Sequence, residues 1–364
     1  MKILFLTHNL QQDNGAGVFS LRLIRGIRED LKCDVAALTS VPSGQSFETP
    51  ILYPQKLKLL RQWRTIRNMM KECDVIHALD AFPYGVIAVL LSQGLGKKVI
   101  ITAAGSGGII PLYQWKYALL LRYAYKHADR VTAISTFTRD EILKKIPSVA
   151  ITIINHGVDT EKFERADGMQ YPMKQYQPYI VSVGQLRWRK GYHFSIKSFA
   201  KVAKEFPDLR YVIVGKKYKD DYYQRLKNLI TELQLEDKVH ILEDVHTDEQ
   251  LADVYTQAEL FCLFSQNVNH DVEGFGLVFL EAAATGLPVV GAKNCGVDDA
   301  VREDKNGLLV DTRDPQDFAN AMLTILRDRE LQKKMRAASL AFVKECTWKK
   351  RTGEYIELYK KLIS

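Results

Sequence analysis

Residues 179–191, YIVSVGQLRWRKG, read as one strand-turn-helix unit. The run Tyr179 to Val183 suits a buried strand, and Gly184 ends it. Three cations, Arg187, Arg189 and Lys190, fill the turn before Gly191 opens a helical pattern. Outward from this unit the same rhythm repeats. Downstream, strand-like runs fall at 210–214, 238–242, 260–264 and 288–290; upstream they fall at 2–7, 34–38, 74–77, 98–102, 130–134 and 151–154. Helical patterns separate them, and such alternation predicts βαβ units in parallel sheets, so the class is α/β. Residues 157–178, with Asp167-Gly168, Pro172 and Pro178, interrupt the rhythm and read as a linker. A chain of 364 residues exceeds one comfortable core. The expectation is two Rossmann-like, doubly wound parallel-sheet domains facing across a cleft, an N-terminal one over 1–165 and a C-terminal one over 166–346. Beyond Asp314-Pro315 the pattern is helical, and Trp348, Tyr355, Leu358 and Tyr359 make one apolar face.

Bulk properties narrow the function classes. Apolar residues at 46% and charged ones at 26% describe an ordinary globular chain. Cys33, Cys73, Cys262, Cys295 and Cys346 form no CxxC pair, which argues against a disulfide framework or a zinc site. The apolar start Met1 to Leu6 is too short for a signal-peptide core and no run is long enough to span a bilayer, so a cytoplasmic protein is expected. The net charge of +8 suits an anionic ligand or an anionic surface. Nucleic acid is set aside, because no helix-turn-helix, zinc-finger or RNA-binding signature organises the basic residues.

A second signal is Glu273-Gly274-Phe275-Gly276-Leu277-Val278-Phe279-Leu280-Glu281, a glycine-rich turn that opens a helix with two carboxylates eight positions apart. Gly274 and Gly276 let the backbone approach a ligand, and free amides at a helix N-terminus attract phosphate. Glu281, about two turns into that helix, suits a carboxylate that accepts hydrogen bonds from sugar hydroxyls. The plain alternative is two solvated glutamates on an ordinary helix. The cations of 187–190 beside Gly184 and Gly191 suit a diphosphate, whose negative charge grows as a glycosidic bond breaks.

With Ala282 to Ala284, Gly286-Leu287-Pro288-Val289-Val290 and Asn306-Gly307-Leu308-Leu309-Val310, the Glu-x7-Glu stretch resembles the nucleotide-sugar site of glycosyltransferase family four. The resemblance runs along nearly the whole chain, strongest over 181–310. It implies the GT-B architecture, a retaining transfer from a nucleotide-diphosphate sugar, and a C-terminal helix over 347–364 that crosses back to the N-terminal domain. It also implies that Glu273 approaches the donor sugar, that the amides of Phe275, Gly276 and Leu277 meet sugar or phosphate, and that Glu281 holds the ribose. The family pattern Gly-Arg-Leu, three variable residues, Lys-Gly matches at Gly184, Leu186, Lys190 and Gly191, but Gln185 occupies the arginine position. Arg187 or Arg189 would then supply the second cation, and Arg189 adjoins the matching lysine. Lys190, Arg189 and Glu273 are the expected catalytic groups.

On the acceptor or phosphate side, Gly15 and Gly17 lie in Asn14-Gly15-Ala16-Gly17-Val18, which lacks the third glycine and acidic partner of a dinucleotide site. Gly105 and Ser106 lie in Ala103-Ala104-Gly105-Ser106-Gly107-Gly108 after a strand, where open α/β sheets bind ligands; a flexible turn is the plain alternative. Many family members carry a histidine in this loop, and here Ala104 takes its place. His156 reads as structural, and His270 and Asp271 as ligand contacts or plain loop. Asp220-Asp221 and Asp298-Asp299 lack the context of a metal-bound diphosphate. No metal or other cofactor is expected, since cations and a helix end can neutralise the leaving group.

Residues 56–71, KLKLLRQWRTIRNMMK, carry six basic and no acidic residues among apolar ones. This is a basic amphipathic helix, which either packs on the first sheet or lies on an anionic membrane, as can the segment 113–127. The expected partners are a nucleotide sugar and a glycan or lipid-linked acceptor, joined by the inner face of the cell membrane on the second of these two readings of residues 56–71. The product would be a cell-surface polysaccharide or glycolipid. A sugar-nucleotide epimerase of the same layout and a silent nucleotide-sugar-binding module remain the alternatives.

Overall fold

The computed structural model describes residues 1–12, 14–53, 56–164, 171–311 and 315–363, with side chains at 56–60, 164 and 315 outside that description. Asp167-Gly168, Asp314 and the side chains of Leu57, Leu59 and Leu60 thus lie outside the described residues. Two compact units result. One is Met1–His156 with Asn269–Gly274 and Trp348–Ser364, and the other is Gly157–Val268 with Phe275–Thr347. The change of unit falls at His156 and Gly157 rather than at 165. Val158 pairs with Thr347 in an isolated bridge and donates its N–H to the Cys346 carbonyl at 2.8 Å, so both chain passages are pinned there.

In the first unit the strands are β1 (Lys2–Thr7), β2 (Asp34–Thr39), β3 (Glu48–Thr49), β4 (Val75–Ala78), β5 (Lys98–Ala103), β6 (Arg130–Ala133) and β7 (Ile151–Ile153), in the order β3-β2-β1-β4-β5-β6-β7. Every ladder is parallel. Strands such as Lys2–Thr7 are buried from the second residue onward, as a sheet covered on both faces requires. One core gathers Ile66, Met70, Ile87, Leu121 and Tyr125; the other gathers Phe19, Ile24, Ile27, Tyr355 and Tyr359. The helix Trp348–Ile363 belongs to this second core. His77 explains its register. The imidazole is fully buried in β4, with Nδ1 2.7 Å from the Tyr359 hydroxyl and Nε2 2.8 Å from Thr102 Oγ1. Burial pulls its pKa down to about 3, so the ring stays neutral, one nitrogen donating and the other accepting.

The second unit holds β8 (Tyr179–Val183), β9 (Arg210–Val214), β10 (Val239–Leu242), β11 (Leu260–Leu263), β12 (Val289–Ala292) and β13 (Gly307–Val310), in the order β10-β9-β8-β11-β12-β13. Its ladders are parallel too. The strand expectations hold to within one or two residues, while β3 and β13 add to them. Two-residue β3 is too short for a periodic signal. The 307–310 stretch, Gly-Leu-Leu-Val, has only three apolar residues in a row and is half-exposed at Leu308 and Leu309.

Strand order reverses between β1 and β4 in one sheet and between β8 and β11 in the other. In such sheets the crevice at the reversal, beyond the strands' carboxyl ends, is the favoured ligand position. The loops after β1, β4, β8 and β11 are therefore the places to seek function.

Candidate functional site

In the second unit the loop after β8 places Lys190 in a short 3-10 turn, Trp188–Lys190, ahead of the helix Tyr192–Glu205. Lys190 is buried, 7% exposed, and its ammonium lies over Gly184: a Cβ there would sit 3.3 Å from Lys190 Cε and 3.5 Å from Nζ. Gly184 also has φ +145, so both space and backbone call for glycine. The Tyr192 hydroxyl donates to the Gly184 carbonyl at 2.6 Å and fixes the turn.

Beyond β11, Gly276 adopts a left-handed conformation and opens the helix Leu277–Ala284 without a side-chain cap, which leaves amides at its N-terminus. Glu281 is half-buried with its carboxyl withdrawn from water, and the Tyr255 hydroxyl donates to its Oε2 at 3.2 Å. Burial and the Asp248 carboxylate push its pKa up to about 7, against the downward pull of Tyr255, Lys190 and Lys162. Lys190 and Glu281 therefore share one electrostatic environment, though they are far apart in sequence. The neighbouring arginines differ. Arg187 Nε donates to Gln185 Oε1 at 2.7 Å and its guanidinium lies 3.8 Å over the Tyr218 ring, whereas half-buried Arg189 offers its carbonyl to the Gln266 N–H at 2.7 Å. Phe275 is buried and Leu277 half-buried.

The first unit contains Glu273. The stretch Asn269–Gly274 packs into it through Ser106, whose Oγ donates to Asp271 Oδ1 at 2.7 Å and accepts the Val272 N–H at 2.9 Å. His270 stacks on Tyr113 with ring centroids 3.5 Å apart, and the Lys145 ammonium lies 4.1 Å from the Tyr113 ring centre. Gly105, at φ +84, meets Gly274 so closely that a Cβ would approach its Cα to 2.9 Å. Asn269 and His270 both take positive φ, a strained pairing that the contacts on either side sustain. Glu273 itself is 7% exposed. Ser106, expected on the acceptor side, has its hydroxyl engaged in holding this loop, and Asp271 and His270 are engaged with it.

The remaining candidates fall into place around the sheet edge. Asn14 caps the helix Gly15–Leu31 by accepting the Gly17 N–H; Gly17 backs onto Asn9 and Gln11, and Gly15 has open space beside it. His156 is buried against Phe19, centroids 4.6 Å apart, and burial with the nearby Arg351 charge lowers its pKa to about 3. Two groups escaped the sequence reading. Asp80, after β4, accepts the Ala81 N–H at 2.7 Å and sits where a Cβ on Gly107 would come within 2.4 Å; burial raises its pKa to about 7. Tyr255 partners Glu281. Neither belongs to a motif; for Asp80 the signal available was its place at a strand's end. Among the described residues no group of three or more His, Cys, Asp or Glu could hold a metal ion.

Comparison with known proteins agrees with this architecture. The family model for glycosyltransferase family 4 matches residues 13–162, and that for glycosyl transferases group 1 matches 167–341. The N-acetyl-alpha-D-glucosaminyl L-malate synthase of Bacillus anthracis is 25% identical over 72% of this chain and 68% of its own length. The GDP-mannose-dependent alpha-(1-6)-phosphatidylinositol monomannoside mannosyltransferase of Mycolicibacterium smegmatis is 26% identical over 72% of each chain. Among solved structures, Anabaena HepE in complex with UDP and glucose superposes with a TM-score of 0.81 at 20% identity, over 99% of this chain and 100% of that one; this likeness concerns the fold, GT-B. With one glycosyltransferase model matching each half and two doubly wound parallel sheets beneath them, the chain belongs to glycosyltransferase family four.

Proposed function

We propose that this glycosyltransferase moves a hexose-type sugar from a nucleotide-diphosphate sugar, held by the second unit, to a glycan or lipid-linked acceptor held by the first, with retention of anomeric configuration and without a metal ion. The observation that carries the reading is that buried Lys190, on the loop after β8, and Glu281, on the helix that follows β11, share one electrostatic environment beside the reversal of strand order. The relatives' printed names support it: the Mycolicibacterium protein uses GDP-mannose on a phosphatidylinositol mannoside, and HepE binds UDP and glucose.

In this mechanism Glu281 accepts hydrogen bonds from the ribose, and the amides at Phe275, Gly276 and Leu277 meet sugar or phosphate. Glu273 orients the donor sugar. An acceptor hydroxyl bonds to the anomeric carbon on the face from which the diphosphate leaves; the carbon–oxygen bond to the diphosphate breaks, and the hydroxyl proton passes to the departing phosphate oxygen. No carboxylate is consumed as a nucleophile. Lys190 and one of Arg187 or Arg189 stabilise the charge that develops on the leaving group. Gly184 gives the lysine room. Gly15, Gly17, Gly105 and Ser106 line or shape the acceptor side, and the basic helix Lys56–Lys71 brings the enzyme to an anionic membrane face on the cytoplasmic side.

Steady-state kinetics test the assignment, once a thermal-shift panel of UDP-, GDP- and ADP-sugars has found the donor that stabilises the fold. Lys190→Ala is expected to lower kcat by about 100-fold or more with little change in donor KM, because a fixed charge matters most as the diphosphate leaves. Glu281→Ala is expected chiefly to raise donor KM. Unchanged kinetics in both variants would refute the assignment.

A further inference from the structure

Three helices of the first unit, Lys56–Lys71, Val86–Ser92 and Trp115–His127, lie side by side, and Ile66, Met70, Ile87, Val89, Leu121 and Tyr125 from them enter one core. The apolar residues Ile66 and Met70 of the basic helix therefore face inward. Its Arg67 is committed as well, donating to the Leu91 carbonyl at 2.5 Å and the Gln93 carbonyl at 2.8 Å. Among the described side chains of that helix, those exposed are Arg61, Arg64 and Lys71, polar Thr65 and Asn68, and Trp63.

The apolar counterpart sits on the third helix. Trp115 is 89% exposed, Leu119 77% and Leu120 45%, while Leu121, Ala124 and Tyr125 on the same helix face the core. Trp115 and Leu119 are one turn apart, as are Lys116 and Leu120, so aromatic, aliphatic and cationic groups share one outward face. Exposed Leu90 and Trp63 stand on the two adjacent helices. Large apolar side chains clustered in water mark an interaction surface.

Charge selects the partner. No Asp or Glu occurs from residue 81 to 128, nor from 49 to 71, while Arg61, Arg64, Lys71, Lys116 and Lys126 are exposed. A second copy of so uniformly basic a face would be repelled, and Leu119 and Leu120 offer nothing to a nucleic acid. An anionic headgroup layer over an apolar interior answers both features, with tryptophan at the boundary between them.

We propose that this face docks on an anionic lipid bilayer, with Trp115, Leu119 and Leu120 entering the acyl boundary and Arg61, Arg64, Lys116 and Lys126 meeting headgroups. The proposal rests on the membrane-docking part of the functional reading and deepens it by naming the side chains of the helix Trp115–His127 that enter the bilayer.

Flotation of the full-length protein with vesicles of phosphatidylcholine alone, and of phosphatidylcholine with phosphatidylglycerol, tests it. Binding is expected only with phosphatidylglycerol present and is expected to weaken with salt. W115A/L119S/L120S and R61E/R64E, confirmed as folded by circular dichroism and melting temperature, should each reduce the bound fraction about tenfold or more. No flotation, equal binding to neutral vesicles, or full binding by the W115A/L119S/L120S variant would overturn the proposal. So would a concentration-dependent dimer in sedimentation that this variant dissolves, which would assign the face to a second copy. No donor is present in the assay, so its failure leaves the transfer reading standing, and dead kinetics leave docking untouched.

Discussion

Glu281 shows how one buried carboxyl ties stability to pH. Burial raises its carboxyl from an ordinary 4.5 to about 7. Between those values the folded chain holds a proton that the unfolded chain has lost, so this group's contribution to stability falls as pH rises through that window. Glu281→Gln is therefore expected to raise the melting temperature at pH 8 by roughly a few degrees, with the gain vanishing near pH 4. On the proposed ribose contact, the same variant should respond less to a stabilising nucleotide sugar, because an amide is the poorer acceptor for a ribose diol. A melting-temperature series against pH, with and without donor, checks both parts; equal shifts at pH 4 and pH 8 would contradict the cause given. Glu281 was legible in the sequence through its spacing from Glu273. Its partner Tyr255 was not, because hydroxyl and carboxylate meet only when separate helices pack.

Among elements, the helix Trp348–Ile363 has its register set by polar contacts inside an apolar core. Tyr359 meets the neutral His77 ring, while the Tyr355 hydroxyl lies 3.3 Å from Thr102 Oγ1, which also reaches Thr132 at 2.7 Å. Removing one partner leaves a buried ring nitrogen unsatisfied. Tyr359→Phe should cost about 1–3 kcal/mol, read from the denaturant midpoint of the first unit. The helix and its apolar face were readable from the spacing of Trp348, Tyr355, Leu358 and Tyr359. The histidine beneath it was not, since a polar residue in a strand pattern carries no mark of what will bond to it. The 269–274 stretch makes the same point more sharply. It reads as the lead-in to the Leu277–Ala284 helix, yet Ser106 clasps it into the other unit.

For the whole molecule, the first unit is assembled from three separate lengths of chain, and its last piece arrives at the C-terminus. A chain ending at residue 347 would uncover Phe19, Ile24, Ile27 and His77 by removing Tyr355, Ile356, Tyr359 and Leu362. Calorimetry of that truncation is expected to show the first unit's transition lost or strongly lowered while the second unit's persists. A single transition shifted uniformly would show that the two units do not unfold separately.

Alternating apolar runs and helical patterns determined the class, the two parallel sheets, most strands to within two residues, and the positions of the glycine, lysine and glutamate motifs. These are local properties, because side-chain periodicity and turn chemistry are written in neighbouring residues. Tertiary structure alone decided that Ser106 grips Asp271 from 165 positions away, that residues 269–274 belong with the first sheet, and that Trp115 and Leu119 face outward while Ile66 and Met70 face inward. Those outcomes depend on which distant surfaces compete to cover a given side chain, and that competition is resolved only when the elements pack.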